Sequence, residues 1–291
     1  MMAGLSRQRV GRKTLFFWLA VIALIIGIVL MSINLYGLSQ SIRKPGLANT
    51  DPELLRFVPE QAWSYEKSME EIDALSEVSD KDLLASKAND IVNISIIHPQ
   101  WTWVDRVEFR QLIPIWENYY LWFLGIVTDM PQIKRYHYAN YKRNIKRGIG
   151  VCGDFATVYS SILDRYDIEN RLASFSGGHV VVEYKSENGK SLVMDPDFGV
   201  ELGMSLEEIS SHPELIRKAY ADEGYSTREI NTLVRIYGSG FYIFDDTYNF
   251  MAKRYVFEEV SYVMKWLLPL ILIIIGLIYI KKPSGSRVEN D

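Results

Sequence analysis

The sequence predicts an α+β domain held between two transmembrane helices. Three observations carry that prediction: an apolar run near each end, a helical apolar period early in the middle region, and three strand-like runs after it. With 48% hydrophobic, 23% charged and 13% aromatic residues among 291, the composition is that of a globular chain.

The first apolar run, LFFWLAVIALIIGIVLM at 15–31, reaches 14–36 with its flanks, and a spanning helix needs about 20 predominantly apolar residues. The second, WLLPLILIIIGLIYI at 266–280, is shorter. Tyr262, Val263 and Met264 extend it, and Lys265 can snorkel its ammonium to the interface. The first run also admits a cleaved signal peptide, since Arg7, Arg9, Arg12 and Lys13 precede it. Its apolar stretch is longer than the roughly 7–15 residues of a signal core, which favours an uncleaved anchor.

Orientation follows from the basic residues. The leader, 1–13, carries four bases and no acid, and the tail, 281–291, carries Lys281, Lys282 and Arg287. Both flanks therefore prefer the cytoplasm, although Arg43 and Lys44 argue the other way. The expected arrangement is a two-pass protein of the cytoplasmic (inner) membrane, with the domain at 37–265 on the extracytoplasmic, periplasmic side. That domain holds 25 basic and 34 acidic residues, once the seven bases of leader and tail and the tail's two acids are set aside. A net charge near −9 suits neither nucleic acid nor anionic lipid heads, so the lipid bilayer around the two helices is the expected partner and nucleic acid is not.

A linker punctuated by Pro45, Gly46, Pro52 and Pro59 follows the first span. Residues 64–97 read as mostly helical, with Leu84, Ala88 and Ile91 at helical spacing, and His98-Pro99 stops them. The aromatic stretch 101–127 contains ENYYLWFLGIV, too short and interrupted to span a membrane, and reads as a core element. A basic, tyrosine-rich stretch at 134–147 leads to Gly148-Ile149-Gly150-Val151. From Cys152, the residues Phe155, Tyr159, Ile162, Leu163 and Tyr166 mark one buried helix face. The runs 171–175, 179–184 and 191–194 read as strands, with Asn188-Gly189 as the hairpin turn between the last two. Ser205-x-x-Glu208, Ser211-x-x-Glu214 and Ser226-x-x-Glu229 each have the form of a capping box. Residues 241–265 read as helix running into the second span.

The chain has one cysteine, so Cys152 has no partner for an internal disulfide. A buried, inert thiol is the ordinary reading of a lone cysteine. Its position changes that. A thiol in a helix's first turn feels the positive end of the macrodipole, which favours the thiolate. His179 opens a strand, and Asp195 follows the partner strand of the hairpin, where a carboxylate can hold the imidazole's other nitrogen.

The stretch GIGVCGDFATVYSSILDRYDIENRLASFSGGHVVVEYKSENGKSLVMDPDFGV resembles the transglutaminase-like superfamily, a branch of papain-like Cys-His-Asp folds. The resemblance rests on a Gly-rich approach to a helix-starting Cys, a strand-starting His about two dozen residues on, and an Asp-Pro after a second strand. It implies a papain-like core at about 130–200, with a Cys-bearing helix on a small antiparallel sheet. It also implies Cys152 as nucleophile, His179 as base and acid, and Asp195 as orienter, with a peptide or protein acyl substrate and no cofactor. Val181 stands where the family often has Trp two residues after the His, and the strand before Asp195 lacks the family's frequent Trp.

Alternatives accompany these residues. Asp197 is a rival orienter. Glu183, on the His179 face, reads as a partner of that imidazole or as a solvated strand residue. His98, His137 and His212 read as structural or solvent-facing. Tyr136, Tyr138 and Tyr141 could line an acyl-binding cleft, but an aromatic run is usually core packing. No metal-ligand spacing, phosphate loop or dinucleotide fingerprint occurs. The expected activity is thiol-dependent acyl transfer, by hydrolysis or transamidation; the alternative is a non-enzymatic binding or scaffold module of the same fold.

Overall fold

The computed structural model describes residues 2–58 and 62–281, with side chains from Thr14 onward. Pro59, the side chains of the basic leader and the tail beyond Lys281 lie outside the described residues. In chain order the helices are α1 (Met2–Gly37), α2 (Tyr65–Ala74), α3 (Lys81–Ser95), α4 (Tyr119–Val127), α5 (Pro131–Lys134), α6 (Tyr141–Arg147), α7 (Cys152–Arg165), α8 (Leu206–Ser211), α9 (Arg217–Asp222), α10 (Thr227–Tyr237), α11 (Thr247–Met251) and α12 (Lys253–Lys281). The strands are β1 (Leu55–Phe57), β2 (His98–Pro99), β3 (Asn170–Phe175), β4 (His179–Lys185), β5 (Ser191–Asp195), β6 (Val200–Glu201) and β7 (Phe241–Phe244). The architecture is mixed α+β around a small antiparallel sheet.

The chain forms two units. One comprises 1–41, 113–128 and 259–291, and the other 42–112 and 129–258. Two helices are long and apolar enough to cross a membrane, Thr14–Gly37 with mean hydropathy 2.8 and Lys253–Lys281 with 2.4; the first unit holds the former and the latter from 259 onward. The second apolar run is thus part of a much longer helix than 266–280. Gly27 and Gly276 let α1 and α12 approach closely: a Cβ on Gly27 would stand 2.9 Å from the Pro269 carbonyl oxygen, and one on Gly276 would stand 2.7 Å from Leu24 Cβ.

Pro269 has no N–H to give the Lys265 carbonyl one turn earlier. Asn34 Nδ2, at 2.5 Å, and the Tyr119 hydroxyl, at 2.9 Å, donate to that carbonyl instead. In a medium without water such replacement donors are what makes a proline inside a helix tolerable. The Lys265 ammonium donates to the Glu117 carbonyl at 2.5 Å, and Asn118 to the Ser261 hydroxyl at 2.9 Å. These contacts tie α4 and its lead-in to the apolar helices. ENYYLWFLGIV is therefore no part of the sheet-based unit's core: α4 belongs to the apolar unit and leaves Phe123, Ile126 and Val127 exposed.

The second unit is built on the sheet, in the order β6-β5-β4-β3-β7, all antiparallel. Side-chain alternation along β4 divides its faces. Val180, Val182 and Tyr184 pack with Phe155, Tyr159, Ile162 and Leu163 of α7 and with α3. Val181 packs on the opposite side, with Ile209, Tyr220, Leu233 and Tyr237 of α8, α9 and α10. Gly189 takes the left-handed conformation, φ 81°, in the β4–β5 turn, as Asn-Gly requires.

Two elements differ from the sequence reading. Ser205 and Ser226 open α8 and α10 through capping boxes, but Ser211 ends α8 and caps nothing. The chain restarts after it at Pro213, whose fixed φ suits a first helical turn. Residues 241–265 are not one helix either. Phe241–Phe244 pairs with β3, Phe241 opposite Phe175, as the edge strand β7.

Candidate functional site

The approach to α7 is fixed by backbone pairing. Ile97 bridges Ile149, its N–H donating to the Gly148 carbonyl at 2.9 Å and its carbonyl accepting from Gly150 at 3.1 Å. Gly148 ends α6 in the left-handed region, φ 75°. At Gly150 a Cβ would stand 2.6 Å from Asp154 Cβ, so the chain can enter α7 this closely only without a side chain.

Cys152 is the first residue of α7, half-buried, with no disulfide. Val151, at the N-cap, has no side-chain oxygen, and the Asp154 carboxylate accepts its backbone N–H at 3.0 Å. Burial pushes Asp154 up, but the neighbouring His137, Arg147 and the Val151 amide outweigh it and hold the carboxyl below the usual range. His137 bonds Asp154 at 2.8 Å and stacks on Trp101, which makes it a brace for this helix start. As the first two residues of α7, Cys152 and Gly153 have backbone amides without intrahelical acceptors.

His179, the first residue of β4, meets Cys152 at the sheet's end. Its Nε2 lies 2.7 Å from Asp195 Oδ2 at the end of β5. Both are buried. The same Oδ2 accepts from the Tyr220 hydroxyl at 2.5 Å and the Tyr237 hydroxyl at 3.3 Å, while Oδ1 faces the Phe198 amide at 3.4 Å. Burial disfavours the imidazolium, but the Asp195 carboxylate, with Cys152 contributing, outweighs it and raises His179 well above the ordinary histidine range. With Nε2 committed to Asp195, Nδ1 is the ring nitrogen left for the thiol.

Asp197 pairs with a different imidazole. Its Oδ1 lies 2.6 Å from Nδ1 of His98, the residue after the Ile97 bridge. A carboxylate oxygen of Asp197, a ring nitrogen of His179 and the Cys152 sulfur all lie within 4.8 Å of one another. Asn93 of α3 pins the turn by donating to the Pro196 and Asp197 carbonyls at 3.3 and 3.0 Å. Beside Asp197 is a cavity of about 300 Å³, lined also by Arg56, Phe57, Asn93, Phe155 and Tyr225.

The structure therefore brings together Cys152, His179 and Asp195, and places Asp197 and His98 against them. Glu183 stands apart from the histidine. Buried, it binds Arg171 at 2.6 Å and accepts the Leu206 amide at the start of α8 at 2.9 Å, so it is neither a partner of His179 nor solvated. Tyr136 and Tyr138 are fully buried against each other, as core aromatics. His212 is exposed. Sequence reading missed His98, Tyr220 and Tyr237. Nothing local ties them to the site, the hydroxyls and imidazole reaching it only through folding.

Fold and site together define a mixed α+β protein with two helices able to cross a bilayer and a triad-like Cys-His-Asp arrangement. No family model, curated protein or solved structure matches the chain.

Proposed function

We propose that the chain is a membrane-anchored, transglutaminase-like cysteine acyl-transfer enzyme with a papain-like core, acting on a peptide or protein outside the cytoplasmic membrane. The observation that carries this reading is the juxtaposition of a helix-initial thiol with an imidazole whose other nitrogen is held by a caged carboxylate. The basic flanks of the two apolar helices support cytoplasmic termini and an extracytoplasmic, periplasmic domain.

The thiolate of Cys152 attacks the carbonyl carbon of an amide, forming a C–S bond and a tetrahedral oxyanion. The Cys152 amide is one donor to that oxygen. His179 gives its proton to the departing amine, the C–N bond breaks, and a thioester remains. Water or a second amine then attacks the thioester and returns a proton to His179. The released acyl group leaves as an acid or as a new amide. Asp195 keeps Nδ1 facing the sulfur and stabilises the imidazolium throughout.

The competing reading, a non-enzymatic binding module of the same fold, draws on one observation. The Asp197 carboxylate close to the sulfur adds negative charge where the oxyanion would develop. An electrophilic thiol probe, with Cys152→Ala as control, separates the two. The enzyme reading expects labelling of the native chain, followed by capture of the acyl donor with a labelled primary amine. A native chain whose Cys152 reacts only after denaturation refutes it.

A further inference from the structure

We infer that Cys152, His179 and Asp197 form a binding site for a divalent transition-metal ion of the zinc class. The three come from different elements, the start of α7, the start of β4 and the turn after β5. Their donor atoms nevertheless converge within 4.8 Å of one another. Asp197 is 1% exposed, and while its Oδ1 meets His98, its Oδ2 has no hydrogen-bond partner among the described residues. Leaving a buried carboxylate oxygen unsatisfied is costly, so it marks a place where a ligand belongs.

The surroundings fit a cation. Histidine ligands characteristically give their second nitrogen to a carboxylate, and ligating carboxylates are themselves hydrogen-bonded. Here His179 is braced by Asp195, which Tyr220 and Tyr237 hold, and Asp197 is braced by His98. One sulfur, one imidazole nitrogen and one carboxylate oxygen suit zinc-like ions; calcium and magnesium take oxygen sets. Three protein donors leave a fourth position open, and Asp197 also lines a cavity of about 300 Å³. Binding requires a thiolate and an unprotonated imidazole nitrogen, so the one proton held between Cys152 and His179 is released to solvent.

The consequence for regulation rests on the acyl-transfer reading; the site itself does not. A bound ion occupies both the sulfur and the imidazole, so metal binding and acyl transfer exclude each other. The ion holds the thiol in a reversible resting state and shields it from oxidation.

The test uses the full chain in detergent, reduced and stripped with chelator. Zn²⁺ is titrated against a competing chelator dye, and Co²⁺ serves as the spectroscopic probe. Expected are one equivalent bound, a thiolate-to-cobalt charge-transfer band that Cys152→Ser abolishes, and chelator-reversible protection of Cys152 from iodoacetamide. Asp197→Asn should weaken binding at least tenfold, and His98→Asn, which removes only the brace, about 10–100-fold. If Asp197→Asn melts early, His98→Asn carries the comparison. Co²⁺ bound without the charge-transfer band, or Zn²⁺ bound equally by wild type and both variants, overturns the site. Reactivity of the metal-free thiol tests the acyl-transfer reading separately, so either idea can fail alone.

Discussion

Asp195→Asn tests the division of labour around His179 without knowledge of a substrate. In the native chain the carboxylate meets the imidazole at 2.7 Å in a fully buried setting. It keeps His179 protonated well above the ordinary histidine range, against the effect of burial. The sign follows: the raised imidazole stays charged through neutral pH, and the variant loses that support beside the sulfur. A hydrogen bond to a charged group contributes about 1.5–3 kcal/mol, roughly a ten- to hundredfold change in the imidazolium's population. Iodoacetamide alkylation of Cys152 at pH 6 should slow by that factor. Above pH 9 the rates of variant and wild type should converge, because an unassisted cysteine ionises near pH 8.5. Turnover of an acyl substrate should fall further, by about 10⁴, since the amide can hold the wrong tautomer. Asp197→Asn is the control of opposite sign. It removes a negative charge close to the sulfur and so should alkylate as fast as wild type or faster. Equal rates at pH 6 for Asp195→Asn and wild type, with both folded, would refute the reasoning.

Tyr220→Phe removes the shortest hydroxyl contact to buried Asp195. It should cost about 1–3 kcal/mol of stability, read as a lower melting temperature, while iodoacetamide still labels Cys152. Asn34→Leu removes a donor to the carbonyl that Pro269 leaves open. Thermal unfolding in detergent should show a loss of about 0.6–2 kcal/mol, and an unchanged melt would mean that Tyr119 alone suffices. Reporter fusions at Asn188 should behave as extracytoplasmic and fusions after Arg287 as cytoplasmic; both reporting one side contradicts the two-pass arrangement.

Much of the site was legible because its parts are locally encoded. The 3.6-residue apolar period placed α7 with Cys152 at its first turn, and a two-residue period with Asn188-Gly189 placed β4 and β5. Together these set His179 and Asp195 at neighbouring strand ends. The two apolar runs were equally plain, since length and hydropathy alone mark a helix able to cross a bilayer.

Other features belong to tertiary structure alone. Sequence named Asp195 as the orienter and Asp197 as its rival. Which of the two meets the His179 ring depends on the turn at Pro196, which Asn93 of α3 pins from more than 100 residues away. His98 reaches Asp197 across 99 residues because Ile97 pairs with the glycines before α7, and Tyr220 and Tyr237 reach Asp195 because α9 and α10 pack on the far face of the sheet. The aromatic run at α4 shows the same limit: its composition suits a core or an apolar unit equally, and polar contacts from Asn118 and Tyr119 to α12 decided for the second. Period and turn chemistry are properties of neighbouring residues, whereas which carboxylate meets which imidazole depends on side chains that only packing brings within reach.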